Sequence, residues 1–112
     1  MHKVVFHIDE VGKWSHTVGN IKNLVNYGNQ QGEDYQITVL VNGDGIMGYL
    51  TDEGHKAVKK CGKEFVRFHA CANAMKSHGV EAKDLPDNVE IVPAGVADLI
   101  ALQEQGYAYV KP

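Results

Sequence analysis

Two apolar runs with almost no polar alternation constrain this chain more than any other feature: Val4 to Ile8, broken only by His7, and Ile37 to Val41, rich in β-branched residues. A strand with one wet face alternates apolar and polar side chains. Continuous apolar strands are covered on both faces, the usual condition in parallel sheets sandwiched by helices. Between the two runs, Trp14, Val18, Ile21, Val25 and Gly28 recur at spacings of three and four, with Leu24 widening the stripe, which predicts an amphipathic helix. Gln30-Gln31-Gly32-Glu33-Asp34 ends it.

The alternation continues to the end of the chain. Asn42-Gly43-Asp44-Gly45 reads as a turn cluster. Thr51 or Asp52 caps the next helix, whose inward side carries Ala57, Val58 and Cys61 and which Gly62 stops. Glu64 to Ala70 reads as a third strand, Cys71 to His78 as a short helix stopped by Gly79, and Val89 to Val92 as a fourth strand. Gly95 to Gln105 reads as a helix with Val96, Leu99 and Ile100 inward and Gly106 as its stop, and Tyr107 to Val110 as a fifth strand. The expected fold is α/β, three layers (α/β/α) around a mostly parallel five-stranded sheet. At 112 residues, with no linker or repeat, one domain over residues 1–112 is expected.

Composition narrows the function. Fourteen acidic against eleven basic side chains give a net charge of −3, no electrostatic footprint for nucleic acid or an anionic membrane. No apolar run approaches bilayer-spanning length. Met1-His2-Lys3 leads straight into Val4 without a signal-type apolar region, and two cysteines make no disulfide framework, so a cytoplasmic location is expected.

In open α/β sheets, ligands bind outside the carboxyl ends of the strands. Here those ends are His7 and Asp9, Asn42-Gly43-Asp44, His69 and Cys71, and Pro93-Ala94-Gly95. Cys71 stands where a strand gives way to a helix, so its thiol is expected to face the unpaired N–H groups of that helix start, which favour thiolate. Strand alternation puts Arg67, His69 and Cys71 on one face with Phe65 below them, and either cation can stabilise a thiolate. The alternatives are a small core cysteine and simply solvated Arg67 and His69. His7, Asp9, His69 and Cys71 have no metal-site spacing, so no metal is expected. Gly43 to Gly48 lacks the third-glycine spacing of a dinucleotide fingerprint, and the chain is too short for that fold; no cofactor is expected. His7 and Asp9 as an acid–base pair lack mutually oriented partners. Cys61 reads as an inert core residue.

Lys3-Val4-Val5-Phe6-His7-Ile8-Asp9, Gly19-Asn20, Val41-Asn42-Gly43-Asp44-Gly45, Ala70-Cys71-Ala72-Asn73, Val92 to Ile100 and above all the tail Gly106-Tyr107-Ala108-Tyr109-Val110-Lys111-Pro112 resemble, in order, the DsrE/DsrF-like family. The resemblance implies a subunit of a sulfur-relay assembly, in which a cysteine carries sulfur as a persulfide and passes it to a partner thiol. By that resemblance Cys71 is the acceptor, a sulfurtransferase-like carrier served by sulfur donor and acceptor proteins, and the chain forms homotrimers or homohexamers. Asn73 in the first helical turn would hydrogen-bond the persulfide, His69 or Arg67 would add positive potential, Asn42 and Gly43 would let backbone approach the donor, and His7 lines the same edge. The competing reading is a non-catalytic oligomeric module that binds a small anion or a protein.

Overall fold

The computed structural model describes residues 1–112. Its strands are β1 (His2–Ile8), β2 (Tyr35–Val41), β3 (Arg67–Cys71), β4 (Val89–Val92) and β5 (Ala108–Val110), and its helices are α1 (Trp14–Gln31), α2 (Asp52–Gly62), α3 (Ala72–His78) and α4 (Gly95–Glu104). All strands are parallel, in the order β4-β3-β2-β1-β5, with His7 opposite Leu40, Leu40 opposite His69 and Cys71 opposite Val92.

Handedness dictates where the helices lie. The chain steps from β1 to β4 in one direction, then returns from β4 across the sheet to β5. Right-handed crossovers put the outbound connections on one face and the return connection on the other. The first face packs Val4, Phe6, Ile8, Val39, Val41, Phe68 and Ala70 against Trp14 and Ile21 of α1, Val58 of α2 and Met75 of α3. The second is covered by α4 alone, whose Leu99 and Leu102 lie on Val5, Leu40, Val92 and Tyr107. The three-layer parallel architecture expected from the apolar runs is the one observed.

Details depart from expectation for identifiable reasons. The Asn42–Gly45 cluster opens an eight-residue 3₁₀ segment, Gly43–Leu50, instead of a simple turn. That segment packs against α2, α3 and the short turn before α1: Trp14 Nε1 donates to the Gly45 carbonyl at 2.8 Å, and the indole lies so close over Gly48 that no Cβ would fit. Gly62 is the last residue of α2, as expected, but it does not take the left-handed conformation. The helix ends in a doubly bonded reversal in which Val66 N–H reaches the Cys61 carbonyl and Phe65 N–H the Gly62 carbonyl. The left-handed position falls on Phe65, at φ 62°, with the side chain 90% exposed. β3 therefore begins at Arg67, and Phe65 is not part of its face. In α4 the inward residues are Gly95, Leu99 and Leu102, while Val96 and Ile100 point outward, 64% and 53% exposed. A four-then-three stripe starting at Gly95 fits the sheet, and one starting at Val96 does not. Thr51 is the cap of α2, its Oγ1 accepting from the Gly54 N–H at 2.9 Å. No helix is long and apolar enough to cross a membrane.

Candidate functional site

Parallel strands put all their carboxyl ends on one edge, and Cys71, Asn42, His7 and Gly95 meet there. Cys71 closes β3 with extended backbone and is 5% exposed. Its Sγ accepts a hydrogen bond from the Gly95 N–H at 3.2 Å. The donor is thus the first amide of α4, not an amide of α3. Alternation turns the Cys71 sulfur toward α4, while at the end of its strand the residue also packs with the first-face cluster that holds Ala74 and Met75 of α3. Gly95 is one of the amides at a helix start that lack an intrahelical acceptor, and the preceding Ala94 offers no capping side chain. The sulfur fills that place. A Cβ at Gly95 would stand 3.1 Å from Cys71 Cβ, 3.3 Å from Sγ and 3.2 Å from Asn42 Cβ, so glycine permits the close approach.

Asn42 continues the site toward β1. Its Oδ1 accepts from His7 Nε2 at 2.7 Å, which leaves its amide nitrogen without a protein partner. With Nε2 carrying the hydrogen, the other ring nitrogen accepts from the Tyr109 hydroxyl at 2.6 Å. Cys71, Gly95, Asn42, His7 and Tyr109 therefore form one contiguous polar line across the carboxyl edge. It reaches the crevice between β1 and β5, where the direction of strand addition reverses.

The other expected residues are placed differently. His69, 8% exposed, does not contact Cys71: its Nδ1 donates to Asp98 Oδ2 at 2.7 Å, and Nε2 lies 3.6 Å from Glu90. Arg67 shares the face but stands at the amino end of β3, about 13 Å along the strand from Cys71, where solvent screens its charge. Asn73 is exposed on α3 and makes no side-chain hydrogen bond. Gly43 takes φ 52° against the Asp9 carbonyl and belongs to the β2–3₁₀ junction. Asp9 is bound to Lys111 at 2.7 Å, and that contact holds its carboxyl below the usual range and raises the lysine. Asp44 pairs with His78 instead. No three His, Cys, Asp or Glu side chains are grouped to hold a metal ion. Cys61 is buried in α2, and that burial pushes its thiol up.

Sequence reasoning missed Tyr109 and Asp98 as site residues and named Gly95 only as part of a strand-end loop. Spacing cannot reveal them, because each depends on which strand flanks β1 or which face α4 covers. Two open clefts lie elsewhere: about 890 Å³ between β1, β5 and α1, and about 1390 Å³ at the amino edge near Phe65 and Arg67. Neither is lined by Cys71.

The model of the DsrE/DsrF-like family matches residues 3–112. Among solved structures, the Methanobacterium thermoautotrophicum protein of unknown function MTH1491 is similar at TM-score 0.89 and 30% identity, with all of both chains covered. The ychN protein of E. coli superposes at TM-score 0.76 with 14% identity over all of both chains. Protein BT1422 of Bacteroides thetaiotaomicron, of unknown function, does so at 0.76 with 13% identity over 98% of this chain and 94% of that one. At such identities the last two show likeness of fold. No curated protein matches.

Proposed function

The chain belongs to the DsrE/DsrF-like family, which is associated with sulfur relay, and from that premise we propose that it carries sulfane sulfur as a persulfide on Cys71. The observation that carries this reading is the hydrogen bond from the Gly95 N–H, at the start of α4, to Cys71 Sγ. A sulfur held there has a donor ready for negative charge, at the helix end where negative charge is favoured.

The thiolate attacks the outer sulfur of a donor persulfide; the Cys71–sulfur bond forms, the donor's sulfur–sulfur bond breaks, and the donor leaves as a thiolate. A partner's thiolate then attacks the outer sulfur of Cys71–S–S⁻ and regenerates the Cys71 thiolate. Gly95 N–H stabilises charge at Sγ, and the free amide of Asn42, oriented by His7 and beside Gly95, is a side-chain donor for the incoming group. Because Cys71 is nearly buried, the residues packed over it must move for the donor to reach it. By the same family reading, the chain assembles with copies of itself as a trimer or hexamer and meets its donor and acceptor as separate proteins.

Incubation with a persulfide donor, followed by intact-protein mass spectrometry, is expected to show the added mass of one sulfur atom. Cys61→Ser should load equally and Cys71→Ser not at all; loading that survives in the Cys71 variant ends the proposal.

The burial of Cys71 favours a second reading, in which its sulfur only caps α4 and the protein is a non-catalytic module for a small anion or a partner. Alkylation separates the two. A Cys71 modified at mildly acidic pH supports the carrier, and one that reacts only in alkali supports the module.

A further inference from the structure

We propose that His69 and Asp98 are positioning residues that hold the first turn of α4 against β3, and thereby set the Gly95 amide on Cys71. The inference rests on reading Cys71 as the reacting atom. Three observations carry it. His69 lies two residues before Cys71 on the same face of β3, and Asp98 lies one turn after Gly95 on α4. The pair they form is therefore parallel to the Cys71–Gly95 contact and adjacent to it. The ring is 8% exposed, and its Nδ1–H meets Asp98 Oδ2 at 2.7 Å, a short charge-assisted bond between largely buried groups. The backbone under the ring is itself fixed, since the Tyr49 hydroxyl, reaching through from the first face, donates to the His69 carbonyl at 2.8 Å.

The pair also governs charge. Asp98 places a carboxylate in the first turn of the helix whose amide serves the sulfur. Left without a partner, that carboxylate would repel a thiolate or persulfide at Sγ. The His69 N–H engages it. Besides Asp98, the charged groups on this face are Glu90 of β4, 3.6 Å from Nε2 and largely in solvent, and the exposed Arg67 two residues earlier on β3; the β2 residue opposite is the apolar Leu40. The positioning bond is thus between one imidazole and one carboxylate, and each can be altered separately.

The test is the rate of Cys71 alkylation by iodoacetamide across pH, on the full chain carrying Cys61→Ser. His69→Leu removes the donor and leaves the carboxylate facing the site. Its alkylation midpoint is expected to rise by about one pH unit, about tenfold less reaction at a fixed pH below the midpoint. His69→Asn places an amide N–H where Nδ1 stands and should restore most of the parent profile. Asp98→Asn keeps an acceptor for the ring while dropping the charge, so its midpoint should stay or fall. A His69→Leu profile superimposed on the parent overturns the assignment. So do equal upward moves in His69→Leu and Asp98→Asn, the sign of α4 merely loosening. If His69→Leu does not fold, the His69→Asn and Asp98→Asn profiles decide, because an upward move in either contradicts the proposal. Persulfide loading is read separately: midpoints that move as stated in protein that takes up no sulfur keep the positioning role and remove the carrier, and normal loading with unmoved midpoints does the reverse.

Discussion

Phe65 occupies a backbone conformation that residues with a bulky side chain rarely adopt, and it gains almost nothing there, since its ring is 90% exposed. The left-handed region costs an L-residue about 1–2 kcal/mol, of which glycine is relieved at a smaller entropic cost in the unfolded chain. Phe65→Gly is therefore expected to raise the free energy of unfolding by about 0.5–1 kcal/mol, read from urea titration. A fall would mean that the ring makes a stabilising contact in the folded protein. The same segment shows what a sequence can and cannot carry at this scale. Gly62 looked like the helix stop because glycine is the residue that takes a left-handed turn without strain. Gly62 does close the helix, but the left-handed position comes three residues later, and a phenylalanine takes the strained place. Cys71, by contrast, was legible at the strand-to-helix junction, because an apolar run meeting a helical pattern marks that junction locally.

At the scale of elements, α3 is tied to the 3₁₀ segment by one side-chain pair. His78 Nε2 meets Asp44 Oδ1 at 2.8 Å, while Nδ1 meets the Ala74 carbonyl at 3.0 Å. The Ala74 carbonyl first, and then the Asp44 carboxylate, raise the ring above its ordinary 6.5. A group raised on folding gives its full stabilisation below its unfolded value and loses it as pH climbs through the folded value. The carboxylate must itself be ionised, so the contribution is largest at about pH 5–6. Asp44→Asn should lower Tm relative to the parent in that range, and the gap should close in mildly alkaline solution. Thermal melts at about pH 5.5 and 9 check it; a gap that widens with pH contradicts it. Both groups are exposed enough for the effect to be small and to shrink with salt. Elements were largely readable where they are buried on two sides, as in β1 and β2. They were misread where tertiary packing chooses the face. α4 is apolar nearly all round, so its own periodicity could not say which of Leu99, Leu102, Val96 and Ile100 the sheet would take.

For the whole molecule, the decisive fact is that one helix does alone on the second face what three do on the first. The return from β4 to β5 must cross that face, and strand order is not written in the local pattern of any strand. This is also why the partners of Cys71 and His7 were illegible: they come from α4 and β5, the two elements whose placement the topology decides. The consequence is a helix with Leu99 and Leu102 on the sheet and Val96 and Ile100, one turn apart, facing water. A helix that is apolar all round belongs in an interior. A second copy of this chain covering α4 would provide one, in keeping with the assembly proposed from the family. Sedimentation is therefore expected to give a mass greater than one chain. The double variant Val96→Asp with Ile100→Asp should sediment as a single chain with unchanged circular dichroism, because both side chains already lie outside the core that folds the monomer. A parent of one-chain mass, or a double variant that assembles like the parent, would place the interface elsewhere or remove it.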